Sequence, residues 1–139
     1  MLEHGLDLKN GAVVVNCKRE KYMKEVKLVD SAQLDFNLRG ETPDGTAYVA
    51  RALGADVSPN MGIGFARWEG AEVSWKLLYD EVIFVIEGCF ELTANGHKYE
   101  VRPGQMLWIP EGTELIYGGH AVFGYVVHPG NWKELHGIA

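Results

Sequence analysis

Apolar and polar side chains alternate with a period of two through most of the chain, as expected of strands whose two faces meet different surroundings. On that pattern strands are predicted at 12–15, 25–29, 47–52, 63–68, 73–79, 82–86, 90–93, 98–101, 106–109, 114–117 and 122–127. These segments are rich in Val, Ile, Phe, Tyr and Trp, which suit a pleated, half-buried surface. Turn signals separate them: Pro43-Asp44-Gly45, Ser58-Pro59-Asn60, Asn95-Gly96, Pro103-Gly104, Pro110-Glu111-Gly112 and Gly118-Gly119. Asn95-Gly96 is the strongest, because a type I′ hairpin needs positive φ at both central positions. No sustained helical stripe occurs; single turns are expected near 31–34 and 132–136. Short strands with Gly- and Pro-rich turns predict an all-β sandwich or barrel, with a small barrel or jelly roll favoured.

Composition narrows the function more than the fold. A formal charge of −6 argues against a nucleic-acid partner, which needs clustered Lys and Arg. In mid-chain the longest apolar run, 82–86, is far too short for a membrane-spanning helix. Cys17 and Cys89 supply no disulfide framework and are expected as buried free thiols, and the N-terminus lacks a secretory pattern. A cytoplasmic location follows as the expectation. Residues 1–22 are expected to form an N-terminal extension with strand-forming potential, and 23–139 the folded domain. Exposed sheet edges are a hazard that a second subunit relieves, so a homodimer pairing through 12–15 and 25–29 is expected.

Two spacings sharpen the fold. Glu81 is followed after six residues by Gly88, and Gly104 after five residues by Pro110-x-Gly112. Both, in this order and at this distance, resemble parts of the two cupin motifs, which implies a double-stranded β-helix of the RmlC-like jelly-roll class. Tyr79-Asp80-Glu81-Val82, Glu87-Gly88 and the closing Pro129-Gly130-Asn131-Trp132 resemble more closely the ethanolamine-utilisation EutQ family of cupins. The likeness covers about half the chain, roughly 61–132. It implies ethanolamine or acetate metabolism, and acetate-kinase activity has been attributed to that family.

Metal-binding cupins converge two His of the first motif, its Glu and a His of the second on one divalent cation. In that motif three or four residues separate the second His from the Glu; with a four-residue gap before Glu81, the first-motif His positions fall on Ser74 and Lys76, and the second-motif His on Leu115. Only Glu81 survives, so no metal ligand set and no cofactor is assigned. A divalent metal held through His120, His128 and Glu81 stays open as an alternative. The inward polar set is read as a pocket for a small polar metabolite. Glu81 and Lys76 are its acid, base or anchor; Tyr79, Tyr117, Ser74 and His128 are its binding residues. Two alternatives stand beside a EutQ-type enzyme: a cupin that captures a ligand without turning it over, and a metal enzyme with unorthodox ligands. Trp68, Trp75, Trp108 and Trp132 are expected mainly as packing residues.

Overall fold

Strands dominate the computed structural model, which describes residues 25–54 and 56–137. They are β1 (Asn37–Thr42), β2 (Gly45–Leu53), β3 (Gly62–Glu69), β4 (Val73–Lys76), β5 (Asp80–Ala94), β6 (His97–Val101), β7 (Met106–Ile109) and β8 (Glu114–His128). A 3-10 turn at Ser31–Gln33 and a short helix α1 (Trp132–Leu135) sit at the two expected places. The fold is therefore all-β, as the alternation predicts. Asn95 and Gly96 take φ of 53° and 75°, the positive values that the tight β5–β6 hairpin requires.

All the ladders are antiparallel, in the order β1-β2-β3-β8-β5-β6, with β4 on β8 and β7 on β5. β5 and β8 each run 15 residues and serve two sheets. The first half of β5 pairs β7 and the second half of β8, which continues to β3, β2 and β1. Beyond, the second half of β5 pairs β6 and the first half of β8, whose other edge holds β4.

The corner between the two sheets lies at glycines. Gly88 of β5 and Gly119 of β8 have φ of 80° and 87°, and a register shift falls between Val85 and Glu87. A Cβ on Gly88 would run into the His120 carbonyl, and one on Gly119 into the Cys89 carbonyl. Only glycine lets the two strands cross so closely while they bend.

Between the sheets the core is largely aromatic. The Phe90 and Phe123 rings meet at a tilt with centres 4.5 Å apart, and Trp68 packs at 5.5 Å on Tyr117.

Several expectations need correction. Residues 25–29 form no strand; Val26 and Leu28 stand fully exposed there. Among the described residues no strand pairs with this short alternation. The segment 12–15, the proposed 1–22 extension and Cys17 lie outside the described residues. Gly118-Gly119 is not a turn but the interior of β8. β1 has no alternation and went unpredicted, because Asn37, Arg39, Glu41 and Thr42 interrupt it with polar side chains. Cys89 is a free thiol but only half-buried. Trp108 packs no core and is exposed.

Candidate functional site

Strand alternation decides which residues reach the barrel interior. On β4, Val73 and Trp75 turn inward, so Ser74 and Lys76 are exposed on the outer face. Ser74 and Lys76 therefore do not meet Glu81. The motif gap of three residues, rather than four, fits this register: it places Trp75 and Leu77 at the two His positions of metal-binding cupins. His128 and His120 are exposed positions of β8, outside the pocket, so the alternative ligand set is not brought together. Leu115 occupies the second-motif position and is buried.

Glu81, Tyr79 and Tyr117 do come together. They line a pocket of about 430 Å³, mouth included, with Arg39, Trp75, Tyr125 and Trp132 among the other walls. Trp68 and Phe123 of the aromatic core line it as well. The enclosed part is only about 50 Å³, far below the ~300–1,000 Å³ of pockets for drug-sized ligands, so it admits a molecule of a few heavy atoms.

Arg39 supplies the cation that Lys76 does not. It is the unpaired residue of a bulge in β1: Leu38 pairs Tyr48 and Gly40 pairs Ala47, with Arg39 between them. A bulge redirects the side chain it carries. The guanidinium lies 4.2 Å from the Trp75 ring centre and 5.9 Å from that of Trp132, so two cation–π contacts hold it in place. No sequence motif marks Arg39; only the bulge, invisible in an irregular polar strand, brings it inside.

Glu81 is 7% exposed, and its Oε1 accepts a 2.8 Å hydrogen bond from the Tyr117 hydroxyl. Burial raises its pKa from 4.5 to about 7; the Tyr117 hydrogen bond and the Arg39 charge oppose the rise. The carboxyl thus exchanges its proton near neutral pH, the range suited to acid–base work.

Three tyrosines surround it, and burial raises the pKa of each first of all. Tyr79 accepts a 3.1 Å hydrogen bond from Trp75 Nε1. The Tyr125 hydroxyl, pushed up to about 12, is buried and has no hydrogen-bond partner among the described residues.

The C-terminal turn closes one side. His136 stacks 4.1 Å from Trp75 and stands edge-on to Tyr79 at 5.7 Å. Burial, then the charge of Arg39, lowers its pKa.

This donor set does not fit a divalent cation. Glu81 is, among the described residues, the one carboxylate lining the pocket; no imidazole joins it there, and a guanidinium shares the space. Among the described residues, no three His, Cys, Asp or Glu cluster as ligands would. What the pocket offers instead is hydrogen-bond donors over apolar walls: Arg39, the Tyr125 hydroxyl, and Glu81 when protonated. Among the described residues, no helix is long and apolar enough to cross a membrane.

The geometry has close counterparts. An acetate kinase EutQ of Escherichia coli K12 is 30% identical over 131 residues, covering 92% of this chain and 56% of that protein. The chain spans about half the length of some curated relatives it matches, 49% of the Salmonella typhimurium LT2 acetate kinase EutQ. The crystal structure of an ethanolamine utilization protein Q from Salmonella typhimurium LT2 superposes with a TM-score of 0.69. It is 28% identical, over 76% of this chain and 88% of that one. The cupin domain of Schizosaccharomyces pombe Cnp3, 19% identical, shares the fold with a TM-score of 0.52, over 74% of this chain and 76% of that one. The model of the family described as "Ethanolamine utilisation protein EutQ" matches residues 4–134, and on this the chain belongs to the EutQ family of cupins.

Proposed function

We propose that the pocket binds a small carboxylate of the acetate class, with its carboxylate toward Arg39 and its alkyl end against Trp68 and Phe123. One observation carries this reading. The pocket unites a fixed cation with a buried carboxyl that is neutral for part of the time near pH 7, so its polar side is made of donors that an anion satisfies. The aromatic floor and the small volume favour one or two carbons over a longer chain. The name acetate kinase, carried by relatives in Escherichia coli K12 and Clostridioides difficile 630, agrees with that chemistry.

In a kinase step the bound acetate oxygen attacks the γ-phosphorus of a nucleotide. The new O–P bond forms as the bond to the nucleoside diphosphate breaks, and the diphosphate leaves with its electron pair. Arg39 would then stand beside the charge that gathers where the two reactants meet. The free Cys89 thiol fits a reducing compartment, so the cytoplasm is the location this reading carries.

Acetate titrated into the protein by calorimetry and by thermal unfolding tests the binding. At a hundredfold excess over Kd, stabilisation of about 2.7 kcal/mol is expected in the wild type. Arg39→Ala should abolish it, and an acetate-indifferent wild type would end the reading. Acetyl phosphate formed from acetate and ATP, and lost in Arg39→Ala, would mark an enzyme. Stabilisation without product would mark a carboxylate-capturing cupin.

A further inference from the structure

We infer that Tyr125 is a specificity-determining residue of the pocket, whose hydroxyl donates to the carboxylate of the bound ligand. The inference rests on the small-carboxylate reading above and adds the residue that recognises the acceptor.

Tyr125 occupies an inward position of β8, opposite Gly64 of β3 and Ile83 of β5. Its phenol lies across β3, and the strand makes room for it. A Cβ on Gly64 would sit 2.5 Å from the Tyr125 hydroxyl and 2.7 Å from its ring carbon Cζ. That Cβ would also sit 2.7 Å from the Ala50 carbonyl oxygen, so glycine at 64 makes room both for the phenol and for the neighbouring backbone of β2.

The cleared space holds a hydroxyl that is buried and makes no hydrogen bond among the described residues. The neighbouring pocket tyrosines differ. Tyr117 donates to Glu81, and Tyr79 accepts from Trp75. A phenylalanine at 125 would fill the same volume without stranding a donor, and native structures rarely leave such a group unpaired. Tyr125 lines the pocket that also holds Arg39 and Glu81. An acceptor entering that pocket completes it, and a carboxylate oxygen is the acceptor that also answers Arg39. A site built around such a donor discriminates strongly against ligands lacking the acceptor.

Tyr125→Phe separates this role from a structural one. Acetate affinity by calorimetry should fall at least about tenfold, as hydrogen bonds to charged groups warrant. The melting temperature without acetate should stay level or rise, because the change removes an unsatisfied buried donor. In the wild type, acetate should bind more tightly than ethylamine, which has no acceptor oxygen, and Tyr125→Phe should narrow that ratio. Wild-type binding with unchanged affinity in Tyr125→Phe would overturn the inference while leaving the carboxylate reading intact. A melting temperature lowered by several degrees in the variant would also overturn it, by showing that the fold itself uses the hydroxyl. A wild type that binds no acetate would remove the carboxylate reading, and this inference with it.

Discussion

Glu81 couples the chemistry of the pocket to the stability of the fold. Its folded pKa of about 7 lies above the ordinary 4.5, so the folded protein holds a proton that the unfolded chain gives up. The resulting stability is fully present below pH 4.5 and is lost as pH rises through 7; it amounts to about 3 kcal/mol. Glu81→Gln mimics the protonated form and keeps an oxygen to accept from Tyr117. Urea unfolding should therefore show the wild type weakening from pH 5 to pH 8 and the variant holding level; an equal decline in both would place the titration elsewhere. Acetate binding should weaken over the same interval, because an ionised Glu81 repels the anion. Lys76 supplies a contrast. It is exposed on the outer face of β4, so Lys76→Met should change stability by less than about 0.5 kcal/mol and show no coupling to Glu81→Gln in a double-mutant cycle. Glu81 was legible because one motif residue persisted among lost ligands. Lys76 misled because the motif tolerates gaps of three and four residues, and one step of register sends a strand side chain to the opposite face. Arg39 was not legible at all, because a bulge leaves no trace in an irregular polar segment.

At the scale of elements, the alternation located most strands but could not say where one ends. Residues 82–86 and 90–93 read as two strands and are both parts of β5; 114–117 and 122–127 likewise merge into β8. The glycines between them signal a break in the sequence, whereas in space they make a corner that both strands pass without stopping. The fold depends on that corner. Gly88→Ala meets two obstacles, a positive φ and the His120 carbonyl, and should cost at least about 2 kcal/mol. Gly96→Ala at the β5–β6 hairpin also has a positive φ, of 75°, but nothing within 4 Å, and should cost only about 1–2 kcal/mol. Chemical denaturation of the two variants side by side separates the steric part from the conformational part. Equal losses would mean that the corner has slack to absorb a methyl group.

Across the whole molecule the outer faces of the two sheets differ in character. The sheet of β4, β8, β5 and β6 turns Lys76, Glu91, Lys98, Glu100 and Glu114 outward, a surface that water covers well. The outer side where β5 pairs β7 shows Phe84, Ile86, Met106 and Trp108, all exposed, with Phe84 directly opposite Met106. Trp108 is 59% exposed, and such apolar clusters on otherwise polar proteins mark contact surfaces. A second copy of this chain is the occupant proposed for it. The arm before the barrel carries Val26 and Leu28 fully exposed, without burial against their own barrel, which leaves an apolar arm and an apolar face on each copy. A two-fold axis brings identical patches together and closes the assembly. On this proposal the contact between copies runs through a sheet face and an extended arm. Light scattering at micromolar concentration should give twice the 15.5 kDa chain mass. Trp108→Glu or Phe84→Glu should return it to one chain, whereas Lys76→Glu on the polar sheet should leave the dimer whole. A wild type at single-chain mass would show that the face has another occupant, and a chain lacking residues 1–24 would then reveal whether they cover it.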